Sequence, residues 1–170
     1  NSWMSQANSI ASSFKSDSLR VDVVEGGSER QFSIHHALQS LDDHVYLVAV
    51  HYAVRPFITT SLVELCCSEA RDHGGAIVAV PAKDTIKRVD VKGFIQETPK
   101  RSTIWQAQTP QIFQRPLLER AYKKAIAEDY GTAGDKLGFI SWVNSLEVDG
   151  GVGIALYDWY LHAELLAATK

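Results

Sequence analysis

Two periods of apolar residues organise the chain. Val45 to Val50 (VYLVAV) and Ala76 to Val80 are nearly continuous apolar runs of strand length. Such runs suit strands covered on both faces, as in a parallel sheet. From Ser33 onward Ile34, Ala37, Leu38 and Leu41 instead follow the spacing of one buried helix face. Ser61 with Glu64 three residues on is a capping-box pattern, opening a helix that runs to about Asp72 and stops at Gly74-Gly75. Arg20 to Val24 reads as a short strand ended by Gly26-Gly27. Leu117 to Glu128, with Pro116 near its first turn, and Trp159 to Ala168 read as further helices. The alternation predicts an α/β fold, doubly wound around a mostly parallel sheet.

The pattern changes between these units. Thr85 to Val89 and Phe94 to Thr98 flank Asp90-Val91-Lys92-Gly93 and predict a two-stranded hairpin. An isolated two-stranded ribbon is poorly stable in water, so it is expected to pack on something else, a partner subunit being one candidate. No internal repeat or interdomain linker is visible, and residues 1–170 are expected to form a single domain.

Composition narrows the function classes. A hydrophobic fraction of 45% and a charged fraction of 22% are those of a globular protein able to bury a core. A formal charge of -3 gives no electrostatic reason to expect nucleic acid or an anionic membrane as the main partner. No apolar run approaches the roughly 20 residues that span a bilayer. The serine-rich opening, Asn1 to Ser18, lacks the basic and apolar regions of a signal peptide. Cys66 and Cys67 are neighbours on the helix and point about 100° apart, which suits neither a disulfide nor a metal site. They read as small hydrophobes in a reducing compartment.

Four segments can carry chemistry, and none contains a metal-binding signature. Glu25 to Ser33 (EGGSERQFS) links a strand to a helix; its glycines let backbone N–H groups approach a ligand, or simply form an ordinary turn. His51 to Pro56 follows an apolar strand, at the edge where open α/β sheets bind ligands. Arg55 there suits a phosphate or carboxylate, or an ordinary surface loop, whereas His51 reads as a hydrogen-bonded structural residue. Arg101 to Gln111 (RSTIWQAQTPQ) combines a cation with hydroxyl and amide donors in a segment leaving the hairpin, with Trp105 expected in the core. Tyr130 to Tyr157 is rich in glycine, and Lys136 is its only lysine.

In this order the segments resemble the methylerythritol phosphate cytidylyltransferases. VVEGGSERQFS is similar to the family's Gly-Gly-x-x-Arg-x-x-Ser element, and VAVHYAVRPF to its Val-His-Asp-Ala-x-Arg-Pro element. VPAKDTIKRVD followed by IQETPKRSTIWQAQTPQIF resembles its protruding arm and the return to the core. The likeness is continuous from about Val21 to Glu128.

The resemblance implies a Rossmann-like nucleotidyltransferase fold and one reaction. The phosphate of 2-C-methyl-D-erythritol 4-phosphate attacks the α-phosphorus of CTP, pyrophosphate leaves and Mg2+ shields the charge. It implies that Gly27 and Ser33 lie against the cytidine, with Ala53 and Arg55 lining the same pocket. Arg101 and Thr109 would face the sugar-alcohol phosphate, Arg101 from the neighbouring subunit, and Thr132 corresponds to a further phosphate contact. The arm, residues 82–104, would be exchanged in a twofold homodimer. The expected compartment is the cytoplasm, or the plastid stroma of a plant or alga.

The chain also departs from the pattern. The family's glycine-rich Arg/Lys loop, which wraps the triphosphate, has no counterpart before Val21. Tyr52 replaces an aspartate, and a phenol carries no charge near neutrality. Ser28 stands in a position often acidic in the family and Phe32 in a commonly polar one, Thr132-Ala133-Gly134-Asp135 blurs an acidic run, and Ala155 stands in place of a phosphate-binding lysine. A related pentitol-phosphate cytidylyltransferase and a non-catalytic binding or dimerisation module therefore stand beside the leading reading.

Overall fold

A computed structural model describes residues 2–28, 30–127 and 153–156. In chain order these form α1 (Ser2–Ser13), α2 (Arg30–Gln39), β1 (Leu47–Val50), α3 (Thr60–His73), β2 (Gly75–Pro81), β3 (Arg88–Val89), β4 (Ile95–Glu97), a 3-10 turn at Arg101–Thr103, β5 (Trp105–Gln114), α4 (Arg115–Ala127) and β6 (Gly153–Leu156).

Strand order in the main sheet is β1-β5-β2-β6. Strand β5 pairs antiparallel with both β1 and β2, while β6 pairs parallel with β2. Three strands thus run one way and β5 runs against them. Side chains alternate across the sheet with period two. Ala76, Val78 and Ile112 pack with Cys66 and Ala70 of α3 on one face. Ile77 and Phe113 pack with Leu38 of α2 and Leu117, Leu118, Ala121 and Tyr122 of α4 on the other. Helices on both faces of one sheet are the doubly wound architecture expected. Cys66 is wholly buried, and burial pushes its thiol up to about 11, so at neutral pH it is an uncharged apolar filler.

Several local expectations change. The N-cap of α3 is Thr59, whose Oγ1 accepts from the Leu62 N–H at 3.3 Å; Ser61 lies inside the first turn. Gly74 ends that helix at φ 86°, donating its N–H to Ala70 O. Arg20 to Val24 forms no strand and pairs with none of the described strands. Arg20 Nη1 donates to Asp42 Oδ2 at 2.6 Å, and that hydrogen bond and charge hold the Asp42 carboxyl below its ordinary value. The serine-rich opening is helical as α1, where Ser12 Oγ and Asn8 Nδ2 donate to the carbonyls four residues back, of Asn8 and Met4. Trp159 to Ala168 lies outside the described residues.

The hairpin forms, but its paired strands are shorter than expected. Asp90 Oδ1 accepts from the N–H groups of Lys92 and Phe94, both at 2.9 Å, and Gly93 takes φ 84°, a left-handed value that favours glycine. Val89, Val91, Phe94 and Ile95 are exposed along it.

Candidate active site

The segment from Arg101 to Gln111, expected to leave the hairpin as a ligand-bearing stretch, is mostly strand β5. Its pairing with β2 jumps from Ile77 opposite Gln111 to Ala79 opposite Ala107, with a bulge between. A bulge leaves residues unpaired and re-aims their side chains. It also accommodates Pro110, which has no N–H for the ladder. The Thr109–Pro110 peptide is cis. Trp105 opens the strand opposite Pro81 and is 37% exposed, not core, because it lies at the sheet's end.

At this bulge, beside the carboxyl ends of β1 and β2, a cavity of about 620 Å³ opens. Arg55 and Thr109 line it together, with Lys83, Asp84, Gln106 and Gln108 as further polar residues. Val54, Phe57, Ile58, Leu62 and Val78 belong to its apolar wall. An apolar pocket with a few convergent polar groups is the usual form of a small-molecule site.

Contacts within the site set its geometry. Arg55 Nη1 donates to Gln108 Oε1, and the guanidinium carbon sits 5.7 Å from the Tyr52 ring centroid. The buried Thr109 hydroxyl accepts from the Tyr52 N–H at 3.3 Å, which leaves it able to donate its own proton. His51 Nε2 lies 2.9 Å from Arg55 O, so the imidazole braces the loop and is the structural residue expected.

The other sequence-derived residues lie elsewhere. Gly27 and Ser33 are brought to each other, the Gly27 N–H donating to Ser33 Oγ at 2.9 Å, but neither lines this cavity. Arg55 and Thr109 share the cavity, and Gly27, expected in one pocket with Arg55, does not line it. Gly27 has a close-packing reason of its own, since a Cβ there would fall 2.3 Å from Phe32 Cβ. Substituting Gly27→Ala is therefore expected to destabilise the fold by about 1–3 kcal/mol, read from the denaturant midpoint. An unchanged midpoint would show that this turn yields freely. Ala53 is exposed and does not line the cavity. Arg101 is exposed in the 3-10 turn, and its Nη1 donates to Lys83 O of its own chain at 3.0 Å. Thr132 and Lys136 lie outside the described residues.

Sequence reasoning missed Lys83 and Asp84, and held Gln108 only as one of the amide donors between Arg101 and Gln111. Lys83 and Asp84 follow the end of β2 by two and three positions, a strand-end signal that was available. The place of Gln108 on the cavity wall becomes visible only through the bulge.

Among the described residues no three His, Cys, Asp or Glu side chains gather to hold a metal, and Asp84 is the one carboxylate on the cavity wall. Mg2+ demands octahedral oxygen ligands and commonly takes one or two carboxylates with substrate phosphates. These donors do not build a magnesium cage on their own. Among the described residues no helix is long and apolar enough to cross a membrane.

Comparison with known proteins bears on these features. A profile of the family described as 2-C-methyl-D-erythritol 4-phosphate cytidylyltransferase (IspD) matches residues 4–142. A protein of that name from Alkaliphilus metalliredigens is 46% identical over 112 residues, covering 66% of this chain and 46% of that one. Its counterpart from Symbiobacterium thermophilum is 44% identical over 108 residues, covering 64% and 46%. The crystal structure of 4-diphosphocytidyl-2C-methyl-D-erythritol synthase from Anaerococcus prevotii superposes with a TM-score of 0.78 at 25% identity, covering 91% of this chain and 68% of that one. The chain spans about half the length of the curated relatives it matches.

Proposed function

Because the chain belongs to the 2-C-methyl-D-erythritol 4-phosphate cytidylyltransferase family, we propose that it transfers CMP from CTP to 2-C-methyl-D-erythritol 4-phosphate and releases pyrophosphate, in non-mevalonate isoprenoid precursor synthesis. The observation that carries this reading is the joint placement of Arg55 and Thr109 in one cavity at the carboxyl edge of the sheet. The physical task is to bring two anions together and stabilise charge growing on a pentacoordinate phosphorus. Preorganised cations and hydrogen-bond donors do this without a covalent intermediate.

In that reading Arg55, oriented by Gln108 and the Tyr52 ring, meets phosphate oxygens while Thr109 donates its hydroxyl proton. The apolar wall excludes water and so strengthens both interactions. Gly27 and Ser33 are proposed to contact the cytidine, and Arg101 the acceptor phosphate. Magnesium is proposed to enter with CTP on the triphosphate, consistent with the sparse carboxylates of the cavity. The exposed apolar hairpin within residues 82–104 is proposed to dock on a second copy of the chain. A reducing compartment such as the cytoplasm suits the free Cys66 and Cys67.

The test is release of pyrophosphate when the folded chain meets CTP, magnesium and the acceptor phosphate. Release that needs the acceptor supports the transfer. Tyr52 and the residue at Ala155 favour a second reading, a binding module without turnover; CTP binding in calorimetry with no pyrophosphate released would select it. Competition with ribitol phosphate in the same assay separates the acceptors.

A further inference from the structure

We infer that Lys83 is a substrate-binding cation of this cavity, holding a phosphate group on the side facing away from Arg55's own partners; the inference rests on the transfer reading of the same site. Among the described residues two cations, Arg55 and Lys83, line the cavity against one carboxylate, Asp84. Arg55 is committed in direction, because its guanidinium is tied to Gln108 and lies over Tyr52. A phosphate monoester has three terminal oxygens, and one guanidinium fork satisfies two of them at most.

The position of Lys83 supports the assignment. It lies two residues past β2, whose end is held by pairing with β5, Val80 opposite Gln106 and Pro81 opposite Trp105. Its main chain is pinned as well, since Lys83 O accepts from Arg101 Nη1 at 3.0 Å and the N–H of the preceding Ala82 donates to Ile104 O at 3.0 Å. A fixed backbone with a long flexible side chain is suited to a point-charge phosphate contact. On the far side of β2 the residues described include no lysine or arginine. Its partner there is β6, Gly153-Ile154-Ala155-Leu156, with Ala155 in register with the cavity-lining Val78.

Calorimetry on the whole chain tests this with Lys83→Gln and Lys83→Arg. The titrants are 2-C-methyl-D-erythritol 4-phosphate, its dephosphorylated polyol, and CTP. Lys83→Gln is expected to weaken binding of a phosphate-bearing titrant by about 10- to 100-fold, the loss of one charged hydrogen bond. The polyol should be unaffected, and Lys83→Arg should recover most of the loss. A loss confined to the sugar-alcohol phosphate puts Lys83 on the acceptor; one confined to CTP puts it on the nucleotide. Unchanged affinity for both, or equal weakening of ester and polyol, overturns the inference, as does a wild-type chain that binds neither phosphate compound. Wild-type binding without pyrophosphate release sinks the transfer reading alone, because the Lys83 comparison is still read from the affinities.

Discussion

Replacing Phe113 by alanine is expected to lower the unfolding free energy by about 3–5 kcal/mol, the largest stability loss anticipated for one substitution here. Phe113 is 1% exposed, on β5, between strands β1 and β2. Its ring packs in one cluster with Leu38, Ile77, Leu117 and Leu118. Truncation removes the transfer energy of the ring and leaves a cavity beneath α2 and α4 that the surrounding structure closes only in part. Denaturant unfolding of the variant gives the value. A loss under about 1 kcal/mol, the typical size for any point mutation, would mean that this face is not a packed core. Val91→Ala is the internal comparison: Val91 is wholly exposed, and its truncation should change stability by less than about 0.5 kcal/mol.

The largest functional effect is expected at Arg55. Arg55→Ala should reduce CMP transfer by about 100-fold or more, the range for losing one preorganised charge from a transition state. Arg55→Lys should recover little, because an ammonium reproduces neither the planar fork nor the stacking over Tyr52. The side chain is only half-buried, so folding should survive and the loss should appear in turnover or, failing turnover, in CTP affinity. Steady-state pyrophosphate release and calorimetry check both. Activity of Arg55→Ala within about threefold of wild type, against the 100-fold expected of such a charge, would remove Arg55 from the site. Together with the Lys83 variants this separates the two cations of the cavity.

Much of the local structure was legible because it depends on neighbours in sequence. Ile34 and Leu38 repeat at helical spacing and α2 forms there, while Leu41, expected on the same face, follows the helix end and still packs on the core. The apolar run at Ala76 to Val80 is β2, and the turn chemistry of Asp90 and Gly93 closes the hairpin. Helix α1 was missed because serine and asparagine compete for backbone hydrogen bonds and give a weak helix signal. In the structure those same side chains bond back to carbonyls of their own helix.

Strand β5 shows where local reading stops. Pro110 argues against a central strand in any linear reading. Yet β5 is hydrogen-bonded on both sides, and a bulge takes up the proline and turns Gln108 and Thr109 toward the cavity. The order of motifs along the chain was enough to place it in its family, and the apolar periods were enough to predict helices on both faces of a sheet. The direction of β5, its slot between β1 and β2, and the meeting of Arg55, Lys83, Gln108 and Thr109 were settled only by folding. Strand pairing joins residues far apart in sequence, such as Val50 with Gln111, 61 positions on, and Val80 with Gln106, 26 positions on. Hydrogen bonds across that separation leave no period in the sequence, so a side chain's place in the cavity follows from register and not from its neighbours.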